Sequence, residues 1–404
     1  MNHPRTLVAL CLLLLLGVAF IPHPANALAF TVTTTADSGT GSLRDAITQA
    51  NANAGPDMID FSIPGCPASG CVITLLSPLP VITDTLTVDG TTQPGASCPN
   101  APRIALSAGN AGAANGAGLE LSDTADNSLL RGLAIYGFNG ASGRGVWFNG
   151  ADSSRLVCSF LGLSTSGQTA LPNTAGVYLT NGAANNVIGT NGDGSDDLAE
   201  RVIVSANTAY GLYLSDAGTS GNRIAGNYVG AKASANELAG NGYGVYIANG
   251  ATSNFIGSNL DNVQDETEGN LIAGNLSDAI AVVGTTSTGN RLSRNRIYGN
   301  GSMGIDLADN GRTNNDTNDP DTGPNNLQNF PTLTAGFKLG QTITGTINTR
   351  PSQNVRIEFY ANAACDGTGN GEGQTYIGAA TGTTNTSGNL NFTATGLLAP
   401  PDQP

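Results

Sequence analysis

Short apolar triplets, each followed by a polar bend, recur along most of this 404-residue chain. Six follow one another at Val177–Leu179, Val187–Gly189, Val202–Val204, Leu212–Leu214, Arg223–Ala225 and Tyr228–Gly230. Displaced by 68 residues the chain aligns with itself without gaps, so that Gly176, Val177, Tyr178 and Leu179 fall on Gly244, Val245, Tyr246 and Ile247. Asn186 falls on Asn254 and Asn207 on Asn275 in the same register. Six strands per repeat predict two coils of three strands each. One signature, Gly-apolar-x-apolar, opens at Gly118, Gly145, Gly176, Gly211 and Gly244, continues at Ala279 and ends at Gly304. Strands too short for hairpins that return at coil length predict a parallel β-solenoid. Strand alternation sends Val177 and Leu179 inward and Tyr178 outward. The outward positions of the signature then run Glu120, Trp147, Tyr178, Tyr213, Tyr246, Ala281 and Asp306. Recurrent asparagines suit left-handed bends and amide ladders between coils.

The pattern changes at both ends. Arg5, an apolar run from Leu7 to Phe20 and the small-residue site Ala25-Asn26-Ala27 predict a signal peptide over 1–27. Fourteen apolar residues are too few to span a bilayer comfortably, so the mature chain is expected to be exported without a membrane span. Within residues 28–60, Ser42 and Asp45 form a capping pair before Leu43, Ala46, Ile47 and Ala50 on one helical face. Such a helix suits a cap over the open first coil of a solenoid occupying 61–312. Residues 313–330 are polar and acidic, and read as a junction loop. Period-two alternation in Thr342–Ile347 and Val355–Tyr360 then predicts a small antiparallel, immunoglobulin-like sandwich over 331–404. Its strands stop early, at Pro404, so a truncated module or a longer reading frame is expected.

Composition narrows the chemistry. The formal charge is −14, and the only lysines are Lys232 and Lys338, which argues against nucleic acid as a partner. His3 and His23 both lie in the predicted signal, leaving the mature chain without imidazole for triads, dyads or zinc. Five cysteines remain after the signal, and export permits disulfides. Cys66 and Cys71 are the preferred pair, while Cys98, Cys158 and Cys365 stay unassigned.

Thr31 to Ile47, with Ser42-Leu43-Arg44-Asp45-Ala46-Ile47 followed by Ala50-Asn51, resembles the CSLREA-type N-terminal motif of exported bacterial β-helix proteins. Gly41 and Asp45 stand where that motif carries Cys and Glu. The stretches from Gly90 to Gly95 and from Asp321 to Pro331 are similar to the same family, and Glu358 to Gly378 resembles its closing module. The resemblance implies an all-β, right-handed parallel β-helix of the pectate-lyase type, and many such proteins have no assigned activity.

Three kinds of site are written in the sequence. Parallel β-helices often act on polysaccharides, and a lyase or glycosidase is the alternative reading. However, Asp193, Asp197 and Glu200 recur as Asp261, Asp265 and Glu268, and a repeated acid set argues for a loop feature. Asp316, Asp319 and Asp321 offer oxygen ligands for Ca²⁺ or form a solvated acidic linker; no other cofactor is required. Trp147, Tyr178, Tyr213 and Tyr246 would line one exposed face, either as cross-strand stacking or as a platform for a glycan or surface partner. The reading is a secreted or cell-surface binding or adhesion module, with a passive scaffold as a further alternative.

Overall fold

The structure, a computed structural model, describes residues 27–335, 342–363 and 371–398. The predicted signal peptide, apart from Ala27, lies outside the described residues, as do Cys365 and the terminal Pro404. Among the described residues no helix is long and apolar enough to cross a membrane.

Three parallel sheets of nine, eight and seven strands wrap one apolar core. From strand Leu86–Asp89 onward, each turn of the chain adds one short strand to each sheet. Ala175–Thr180 leads to Val187–Gly189 on the next face and to Ile203–Val204 on the third. The chain then returns as Tyr210–Ser215 beside its starting strand, pairing Val177 with Leu212 and Tyr178 with Tyr213. Two such coils make the 68-residue repeat, which brings Tyr243–Ala248 onto the same sheet. The fold is a right-handed parallel β-helix. Val177, Leu179, Ile188, Leu212, Leu214 and Ile224 are fully buried, stacked on equivalents from neighbouring coils.

Both ends of the solenoid are covered. Helix Leu43–Ala52 begins at Ser42, whose side chain accepts a hydrogen bond from the Asp45 amide. Leu43, Ala46, Ile47 and Ala50 are its buried face, packed on strands Ala29–Val32 and Asp57–Phe61. At the far end, two small antiparallel sheets share a core of Ile343, Ile347, Ile357, Phe359, Ile377 and Phe392. Their strands include Ile343–Asn348, Asn354–Ala361, Thr375–Thr383 and Asn389–Ala394. This unit docks on the last coil: Ile297 donates to the Gly373 carbonyl at 2.7 Å, and Glu358 accepts from Ser293 at 2.6 Å and the Arg294 amide at 2.9 Å. What the sequence pattern suggested as an appended sandwich therefore also closes the open edge of the solenoid.

Between the sheets the backbone bends, and buried asparagines satisfy the bends. In one column Asn173, Asn207, Asn241, Asn275 and Asn300 stack coil on coil. Each donates its backbone N–H and its Nδ2 to the Oδ1 of the next, as Asn207 does to Asn241 at 3.0 and 2.9 Å. A second column links Asn186, Asn222, Asn254 and Asn290, and a third links Asn227, Asn270 and Asn295. The signature glycine is needed beside the first column. A Cβ on Gly211 would stand 2.6 Å from the Gly244 carbonyl oxygen and 2.9 Å from the Asn241 amide nitrogen.

Among the described residues, two disulfides brace the N-terminal part of the solenoid. Cys66 and Cys71 are bonded, with Cα atoms 5.2 Å apart, and Cys98 is bonded to Cys158, 60 residues away in sequence. The second bond ties a long loop to the wall of a later coil.

Replacing Asn207 by Ala would remove the acceptor of both Asn173 amide groups and the side-chain donor to the Leu161 and Ser205 carbonyls at once, while Asn241 keeps the backbone N–H of residue 207. Each buried group so orphaned costs about 1–3 kcal/mol, so a loss of at least ~3 kcal/mol is expected in denaturant unfolding. A loss under about 1 kcal/mol would show that the column is not structural.

Candidate functional site

The seven-stranded sheet presents the outward column anticipated from the signature. Register pairs Glu120 with Trp147, Trp147 with Tyr178, Tyr178 with Tyr213 and Tyr213 with Tyr246. Ala281 and Asp306 continue the register but are buried rather than outward-facing, so the exposed part of the column ends at Tyr246. All four aromatic residues are half-buried, with their flanking aliphatics inside. Tyr178 and Tyr213 stack with centroids 4.5 Å apart, and Tyr213 and Tyr246 at 5.8 Å and 8°.

A second column runs alongside, and sequence reasoning missed it. Tyr210 and Tyr243 stack at 5.8 Å and pack against Tyr213 and Tyr246 at 4.9 and 5.0 Å. The guanidinium of Arg144 belongs to this column, lying 4.2 Å from the Trp147 ring and 4.5 Å from that of Tyr178. These are the residues immediately before the signature glycines; Arg144 aligns with Ala175, and Ala175 with Tyr210. The glycine breaks simple alternation, so two residues three apart both face outward. That repeat was visible at Tyr210-Gly211 and Tyr243-Gly244, but a period-two reading passes over it.

The strip is a braced surface. Trp147 Nε1 donates to Thr180 Oγ1 at 2.8 Å. At the other end Asp309 accepts from the hydroxyls of Tyr246 at 3.2 Å and Tyr243 at 3.3 Å. Stacked rings cover one another's faces, and Asp309 takes up the two phenol hydroxyls at its end. Burial, and then the Asp309 carboxylate, push the Tyr246 phenol well above the ordinary tyrosine range. Burial, with Asp278 and Asp306 nearby, raises the Asp309 carboxyl in turn.

The repeated acids have another use. Asp197 accepts from Thr190 Oγ1 at 2.5 Å and Asp265 from Ser258 Oγ at 2.7 Å. Glu200 pairs with Arg155 and Glu268 with Arg223, and each also takes a backbone N–H, from Asn191 and Asn259. Asp193 and Asp261 bond the side chains of Asn191 and Asn259, both at 2.8 Å. These carboxylates fold their own loops, twice over.

At the junction, Asp316, Asp319 and Asp321 do come together: one carboxylate oxygen from each lies within 4.8 Å of the others. Asp319 is buried, and its Oδ2 accepts from Thr349 at 2.6 Å and from Gln328 at 3.3 Å. Burial first, then the charges of Asp316 and Asp319, raise the Asp321 carboxyl.

No protein-family model matches the chain, and no curated protein matches it. Among solved structures it is similar to an alginate lyase from Paenibacillus sp., at 15% identity over 69% of this chain and 96% of that one, with a TM-score of 0.27. It is also similar to the Dettilon tailspike protein, at 12% identity over 91% and 90% of the two chains, with a TM-score of 0.31. Likeness at this level concerns fold and carries no statement about a ligand.

The tyrosine environment has a pH signature. A phenol whose folded pKa exceeds its unfolded value, 10.0, stays neutral when the unfolded chain ionises. Stability is therefore lost as pH rises past about 10. Tyr246→Phe removes the group and should lessen the fall in melting midpoint between about pH 9 and pH 12. Parallel curves for wild type and variant would contradict the assignment.

Proposed function

We propose that this protein is an exported or surface-displayed binding module that holds a hydroxyl-rich glycan along its aromatic strip. The observation carrying this is the continuity of the strip: Trp147, Arg144, Tyr178, Tyr213, Tyr246 and the second tyrosine column follow one another across successive coils. Coils recur at about 4.8 Å, so a linear polymer laid along the helix axis meets an aromatic side chain on each of four successive coils. Phenol hydroxyls and ring edges suit sugar hydroxyls, while a preordered strip gives up little side-chain freedom on binding. The net charge of −14 and Asp309 at the end of the strip oppose a polyanion, which favours a neutral glycan. Export rests on the N-terminal signal pattern, and the closing modules at both ends suit a chain that must persist unaided.

A second reading, a passive scaffold, is supported by the ring faces already being stacked on one another. Retention on a panel of immobilised neutral and acidic glycans separates the two. Binding is expected to neutral polymers, and Trp147→Ala with Tyr178→Ala should weaken it by about 2 kcal/mol, roughly thirtyfold, without unfolding the chain. Retention unchanged in the double variant, or absent from every glycan, would favour the scaffold.

A further inference from the structure

Three acidic clusters occur among the described residues: Asp261 with Asp265 and Glu268, Asp278 with Asp306 and Asp309, and Asp316 with Asp319 and Asp321. The first two are supplied with donors. Asp265 and Glu268 take Ser258, Arg223 and the Asn259 amide, as described above. Asp306 accepts the backbone N–H of Gly311 at 2.7 Å, Asp278 that of Met303 at 2.7 Å, and Asp309 the two phenols.

The third cluster lacks such donors. Asp316, Asp319 and Asp321 each keep an Oδ1 that is sealed from solvent and accepts no hydrogen bond, and so does Asn318 between them. Asp319 is only 1% exposed, and Thr349 and Gln328 hold its Oδ2, so its Oδ1 is the oxygen left over. Like charges buried this closely repel, and an unpaired carboxylate out of water is strongly disfavoured. A cation resolves both problems together.

We propose that Asp316, Asn318, Asp319 and Asp321 bind one calcium ion through these oxygens. All the donors are hard oxygens, with no nitrogen or sulfur, which disfavours zinc and copper. Several protein oxygens from one irregular loop suit the flexible coordination of Ca²⁺ better than Mg²⁺, which demands a near-ideal octahedron and keeps its water. The ion would also fasten the C-terminal unit to the solenoid. Asp319 is bonded to Thr349, and the Asn318 amide donates to Asn348 Oδ1 at 2.6 Å, both in that unit. The inference is independent of the aromatic strip and stands or falls apart from it.

The test is calorimetric titration of Ca²⁺ into the chain from Leu28 onward, stripped with chelator, alongside its thermal unfolding. One ion per chain is expected, with millimolar or tighter affinity, a midpoint several degrees higher than in chelator, and at least tenfold weaker binding of Mg²⁺. Asp319→Asn with Asp321→Asn should weaken Ca²⁺ binding at least tenfold, whereas Asp261→Asn, in a donor-supplied cluster, should leave it unchanged. Should the double variant fail to fold, Asp321→Asn alone gives the same comparison. No bound ion at millimolar calcium, equal affinity for Mg²⁺, or binding that survives Asp321→Asn would overturn the proposal.

Discussion

Everything in this molecule depends on closing sharp, buried turns without leaving backbone polar groups unsatisfied. A solenoid with strands of two to six residues spends much of its length in bends, and bends inside a wall have no water to bond. The asparagine columns solve this by making each coil the hydrogen-bond partner of the next. An asparagine side chain carries both a donor and an acceptor, so a column of them can run without limit through the interior. Serine serves the early coils: the Leu86 amide bonds Ser128 and the Ser128 amide bonds Ser154, which bonds Asn186. Glycine beside the column, low charge and small turn residues follow from the same constraint.

This constraint explains how much was legible beforehand. Residues that obey the coil repeat could be read, because each position is written several times. The strands at Val177, Val187, Leu212 and Arg223, the helix at Leu43 and the outward line from Glu120 to Tyr246 follow from spacing and alternation alone, whereas the burial of Ala281 and Asp306 does not. Features that occur once, or that join distant coils, could not be read that way. The bond between Cys98 and Cys158 spans an insertion, and docking of Glu358 and Glu372 on the last coil depends on a chain reversal that no local pattern encodes.

The aromatic strip shows a third case. Its main column was visible, but the flanking Tyr210, Tyr243 and Arg144 were hidden by a glycine that upsets period two. Their presence changes the chemistry of the face. Isolated tyrosines would offer flat ring surfaces, whereas two interlocked columns offer a ridge of edges and hydroxyls. Similarly, the acids that look catalytic in isolation prove to be the internal fastenings of two copies of one loop, because Arg155 and Arg223 repeat with them.

The asparagine column that begins at Asn173 also has a direction. Every member donates toward the C-terminal end and accepts from the N-terminal side, so the last one, Asn300, needs an acceptor that is not another asparagine. Glu372 of the closing unit supplies it, accepting from the Asn300 side chain at 2.8 Å. A terminus of this kind cannot simply be displaced by further coils added beyond it. A duplicated 68-residue segment placed within the column would meet matching partners above and below, and lineages built on this plan should therefore lengthen from the inside.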